Sequence, residues 1–96
     1  MKQKYDISQF VDFPIRQSVL YALVERVKMR RKEQGLSQKE LAVRSGVSYA
    51  SVRRFETEGE ISLSSLMRIA QVLDCMQDFD ALFRTKKIVD LKDFQG

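Results

Sequence analysis

The 96-residue sequence predicts a single all-α domain of five helices. Three observations predict it. Apolar residues recur at three- and four-residue intervals in successive segments between residues 14 and 83. Serines stand where three of those segments begin, and glycines where two of them end, as helix caps require. A content of 44% hydrophobic residues, with one proline and four glycines, can fill one core and is not the composition of a disordered chain.

Residues 1–13 mix polar and aromatic side chains without periodicity and read as an N-terminal extension, partly ordered through Tyr5, Ile7, Phe10 and Phe13. Pro14 suits the first turn of a helix, where its missing N–H is not needed. Leu20, Leu23, Val24 and Val27 then mark an amphipathic helix over residues 15–33. Its basic end, Lys28 to Lys32, complements the negative end of the helix dipole, and Gly35 stops it. Ser37 and Glu40 form an S-x-x-E capping box for a short second helix, 38–45, which buries Leu41 and Ala42. Gly46 permits positive φ in the following turn, Val47 returns an apolar group to the core, and Ser48 caps a third helix, 48–57. Glu56 to Glu60 reads as an acidic connection. Ser62 caps a fourth helix, 63–73, with Leu63, Leu66, Met67, Ile69, Ala70 and Leu73 on its apolar side. A fifth, 77–83, presents Phe79, Leu82 and Phe83. The domain so defined covers residues 14–83. In the tail, 84–96, Ile88, Val89, Leu91 and Phe94 suit either a short strand or an arm on a partner subunit.

Residues 37–57, SQKELAVRSGVSYASVRRFET, hold most of the functional information. Gln38, Ala42, Gly46, Val52 and Phe55 fit one template: two short helices crossing at close range around a tight turn. Ala42 supplies the small side chain that such a crossing needs. The template leaves one face of the second helix free, and that face bears Tyr49, Arg53 and Arg54. A helix held this way can enter the major groove of DNA.

The pattern resembles the helix-turn-helix of the phage repressor/Cro (XRE) family over about residues 19–83, most specifically in GLSQKELAVRSGVS, residues 35–48. The resemblance implies a compact five-helix, lambda-repressor-like fold and a homodimer that binds operator DNA. It also implies roles for particular residues. Gln38 is expected to touch a phosphate and brace the recognition helix. Ser48, Tyr49, Ala50, Arg53 and Arg54 lie where members of the family meet DNA. Arg31 and Glu56 match a partly buried ion pair that joins the first helix to the end of the third. By chemistry, Arg53 or Arg54 can bond guanine O6 and N7 bidentately, and Ala50 can meet only a thymine methyl. Tyr49 can bond a phosphate or pack on that methyl. Arg26, Lys28 and Lys39 are candidate phosphate contacts, the alternative for each being a solvated cation.

Two departures stand out. Many members carry Asn-Gly soon after the recognition helix, whereas this chain runs Glu56-Thr57-Glu58-Gly59-Glu60. Thr57 can still donate a hydroxyl to phosphate, but Glu58 and Glu60 would repel it, so this loop is expected to point away from DNA. Arg30 occupies a usually apolar position. The wording RRFETEGEISLSSLMRIAQVLDCMQDFDALF, residues 53–83, resembles small regulators encoded beside HipA-type kinase toxins. It suggests, as an alternative, an antitoxin that binds such a kinase and autoregulates its operon.

Net charge is +4, unevenly spread. Nine basic and two acidic residues fall between Arg26 and Arg54, and a single basic residue against six acidic ones between Phe55 and Phe83. The positive block coincides with the groove-reading unit, where attraction for phosphate is useful. Catalysis is not expected. Histidine is absent, which removes imidazole acid–base chemistry and imidazole metal ligation. The one cysteine, Cys75, cannot build a zinc site or an intrachain disulfide. No cofactor or metal is expected. There is no apolar run of about 18 residues and no signal-peptide core, so a reducing cytoplasm is the expected compartment.

Overall fold

In α1, Ile7–Glu33, the first helix is much longer than its apolar periodicity alone suggests. The structure, a computed structural model, describes the backbone of residues 7–86 and the side chains of residues 14–86. Pro14 lies inside α1 and does not open it, which corrects the expectation of a start at residue 15. The φ of proline is itself helical, so a helix can run through it at the cost of one ladder hydrogen bond and of ring crowding against the carbonyl four residues back. The ordering ascribed to Tyr5, Ile7, Phe10 and Phe13, and the strand or arm at Ile88, Val89, Leu91 and Phe94, concern side chains outside the described residues.

After a turn at Gln34 and Gly35 come α2, Gln38–Ser45, and α3, Tyr49–Glu58, joined at Gly46. α4, Leu63–Val72, and α5, Met76–Asp80, complete an all-helical domain with no strand among the described residues. α2 packs on α3 and on α4, α1 packs on α3, and α5 packs on α4. The core is continuous. Leu41, Val52 and Ile69 are fully enclosed between α2, α3 and α4, and Phe55 is enclosed beside Val24 and Leu66. Val27 and Ile61 pack against both groups and join them. Enclosing a side chain of this size stabilises by roughly 1.5–3 kcal/mol, so these residues fix how α2 and α3 cross.

Three local readings are corrected. Leu63 is 62% exposed: it sits in the first turn of α4, on the side away from the core. α5 ends at Asp80, short of the expected residue 83. The chain then turns, and Phe83 adopts φ +62° while lying 94% exposed. Glu56, Thr57 and Glu58 belong to α3 and not to a connection, because Glu56 is buried against α1 and holds that turn helical.

Candidate nucleic-acid interface

The interface is assembled from the caps outward. At the start of α2 the Ser37 N–H donates to Glu40 Oε1 at 2.8 Å, and the Glu40 N–H donates to Ser37 Oγ at 3.0 Å. The Ser37 backbone and hydroxyl, with the charge of Arg44, hold the Glu40 carboxyl below the usual glutamate range. α2 ends on Gly46 at φ +75°, whose N–H donates to Ala42 O at 2.9 Å. A methyl group there would meet nothing closer than Arg68 Nη1 at 3.7 Å, so backbone conformation, not space, requires glycine. Ser48 then caps α3: its Oγ accepts from the Ser51 N–H at 3.0 Å and donates to Ser51 Oγ at 2.8 Å. The Ser48 hydroxyl is thus engaged within the protein.

Helical spacing divides α3 into two sides. Val52, Phe55 and Glu56 are buried, while Tyr49, Ala50, Arg53, Arg54 and Thr57 are exposed on the opposite side. The inner side is fastened by a charged network. Arg31 Nε donates to Glu56 Oε2 at 2.8 Å and Arg31 Nη2 to Glu56 Oε1 at 3.0 Å, a bidentate pair. Arg31 Nη1 donates to Leu36 O at 2.8 Å, and Gln38 Nε2 donates to Glu56 Oε1 at 2.8 Å. Burial alone would raise the Glu56 pKa. Hydrogen bonds from Arg31 and Gln38, with the charges of Arg31 and Lys28, outweigh it and hold the carboxyl below the usual range. Glu56 therefore ties α3 to α1 and to the first residue of α2.

On the outer side, Tyr49 organises two cations. Lys39 Nζ lies 5.4 Å from its ring centroid and the Arg53 guanidinium carbon 5.5 Å. Both distances fall in the range of cation–π attraction. One residue from α2 and one from α3 are thereby drawn to a single aromatic ring. Arg54 is placed differently. Its Nε is 3.3 Å from Glu58 Oε1, and its Nη2 pairs with Glu60 Oε1. Thr57 Oγ1 donates to Arg53 O at 2.8 Å, so its proton is spent inside the helix. Lys28 is half-buried, 3.4 Å from Glu25 Oε2, and acts electrostatically on Glu56, which puts it on the α3 side of α1. Arg26 instead lines a groove with α4 and α5 and is not gathered with the other candidates. Arg30, in its unusual position, is exposed and pairs with Glu33 at 2.8 Å.

Two structural residues escaped sequence reading. Leu36 is buried in the core although it lies in a turn. Gly59 closes α3 at φ +76°, and a methyl group there would come within 3.0 Å of Leu20 Cδ2 on α1. A glycine directly after an acidic helix end was the available signal.

The groove between α1, α4 and α5 has a volume of about 570 Å³ and is lined by Leu23, Met29, Leu66, Phe79 and Leu82 among others. Cys75 borders it. Burial, then the charge of Asp78, pushes its thiol pKa up, and its Sγ donates to Leu73 O at 3.4 Å. A thiol held protonated in this way is a poor nucleophile. No three His, Cys, Asp or Glu residues are grouped to hold a metal ion, among the described residues.

The helix-turn-helix family matches residues 27–75, just over half of the chain, from the basic end of α1 to Cys75. The chain belongs to this family, which makes it a DNA-binding transcriptional regulator, and its all-helical fold agrees with that. No curated protein and no solved structure matches it. No helix among the described residues is long and apolar enough to cross a membrane.

Proposed function

We propose that the chain is a sequence-specific transcriptional repressor that reads duplex DNA in the major groove with α3. The observation that carries the reading is the cluster of Lys39, Tyr49 and Arg53 on the outer side of α3. The opposite side of that helix is anchored through Glu56 to α1 and α2. A rigid helix presenting Arg53, with Lys39 of α2 at the same aromatic ring, fits a groove flanked by phosphates. In this reading Arg53 contacts guanine, Tyr49 and Ala50 lie against bases or the sugar-phosphate edge, and Gln38, Lys39 and Lys28 hold phosphates. The role is binding, not catalysis, and is exercised in the cytoplasm.

One such domain reaches few base pairs, so a two-fold dimer is proposed, with half-sites one helical turn apart, roughly 34 Å. Leu82, which lines the apolar groove, and Phe83, which follows it in sequence, are both exposed and offer the surface for it. The second reading, an antitoxin that restrains a kinase and uses DNA binding for autoregulation, draws on the resemblance of residues 53–83. Co-purification with the product of a neighbouring kinase gene would favour it.

The test is equilibrium binding to labelled duplex over a range of salt. Arg53→Ala should cost about 1–3 kcal/mol and relax preference at one base pair. Lys28→Ala should lower the salt slope by about one unit without changing preference. Unchanged affinity and preference in Arg53→Ala would overturn the assignment of α3.

A further inference from the structure

The two arginines at the centre of α3 are adjacent in sequence but differ in electrostatic setting. Arg53 stands at the Tyr49 ring, with Lys39 near the same ring. Arg54 is gripped by two carboxylates, Glu58 one helical turn on and Glu60 beyond the end of the helix. Glu60 reaches Arg54 because Gly59 turns the chain back in the left-handed conformation, with Leu20 packed against it. The three side chains are exposed to similar degrees, so the cluster is presented to whatever approaches α3. Its local charge is −1, within a surface that is otherwise positive.

A guanidinium binds carboxylate and phosphate by the same fork of N–H donors. Glu58 and Glu60 therefore compete with phosphate for Arg54 and repel phosphate at the same time. Binding to arbitrary sequence is almost wholly a phosphate interaction, whereas binding to a preferred site adds base contacts. We propose that Glu58 and Glu60 form an acidic latch on Arg54 that suppresses non-specific DNA binding, which makes them specificity-determining residues. The inference rests on the reading of α3 as the DNA-contacting helix. The latch yields where a bound site fixes α3 in register, and it withholds Arg54 elsewhere.

The test compares Glu60→Gln with Glu33→Gln, which makes the same charge change on α1, next to Arg30. Affinities are measured for the duplex enriched from a random pool and for a scrambled duplex of equal composition, with and without Arg54→Ala. Glu60→Gln should tighten binding to the scrambled duplex roughly two- to fivefold and steepen the salt slope by about one. The enriched duplex should gain less, so discrimination falls. Glu33→Gln should change either affinity by less than about twofold. In the Arg54→Ala background the gain from Glu60→Gln should fall by at least half, leaving only the part due to direct repulsion of phosphate. A gain no larger than that of Glu33→Gln, or one that survives intact without Arg54, overturns the latch. If the wild-type chain binds no duplex at low salt, the reading of α3 itself is wrong, a failure distinct from that of the latch.

Discussion

Glu56→Ala tests the physical link between fold and interface most severely. The Glu56 side chain is 3% exposed and the Arg31 side chain 9%. Glu56 accepts three hydrogen bonds, two from Arg31 and one from Gln38. Truncating it leaves the Arg31 charge in the interior with only the Leu36 carbonyl as partner. Stranding one member of a buried pair costs about 3–5 kcal/mol. That is a large share of the roughly 5–15 kcal/mol that holds a small domain folded. Arg31→Met should cost a similar amount, because it strands the carboxylate instead. The double variant Arg31→Met, Glu56→Leu removes both charges and should lie within about 1–2 kcal/mol of wild type. Urea unfolding followed by circular dichroism at neutral pH measures all three. The double variant should nevertheless bind DNA more weakly, since Gln38 has lost its partner and α3 its orientation. Single variants costing less than about 1 kcal/mol, or strictly additive costs, would refute the argument that a desolvated pair sets the helix. The pH dependence has a fixed sign. The Glu56 pKa is lowered in the folded state, so its contribution is complete at neutral pH. It is lost as pH falls through the ordinary glutamate range, near about 4.3, toward the depressed folded value. Glu56→Gln should flatten that part of the acid-unfolding curve.

Other substitutions separate local causes. Gly46→Ala should cost about 1–2 kcal/mol in a urea melt, since the site has room but requires positive φ. Gly59→Ala should cost more, because its methyl group also presses on Leu20, and the excess should disappear in a Leu20→Ala background. Ser37→Ala breaks the capping box and should lower stability by about 1 kcal/mol, again by urea melt. Tyr49→Phe keeps the ring that draws Lys39 and Arg53 together, whereas Tyr49→Leu does not. Fluorescence anisotropy with labelled duplex should therefore find Tyr49→Phe close to wild type and Tyr49→Leu several-fold weaker. Equal losses in both would assign the effect to the hydroxyl.

The five helices were legible because each carries its signal within a few residues. The Ser37–Glu40 box and the turn at Gly46 bound α2 to the residue and place α3 to within one residue at each end. The pairing of Arg31 with Glu56 was legible only through resemblance, since no local pattern links residues 25 positions apart. That α1 continues back through Pro14 was not legible, because the proline rule is a preference that a continuing helix can override. The fate of Glu58 and Glu60 was half legible. Their charge was legible, but not their grip on Arg54, which depends on the turn that Gly59 makes against Leu20. Side-chain partnerships across a turn depend on geometry that residue types alone do not specify.

The central claim is that α3 reads base sequence. Selection of bound duplexes from a random pool, run in parallel with the wild-type chain and with Arg53→Ala, tests it most directly. The account predicts enrichment of a shared half-site, repeated with two-fold symmetry at about one helical turn, and loss of preference at one base pair of that half-site in the variant. A wild-type pool that stays random, or a pool enriched identically by Arg53→Ala, would contradict it.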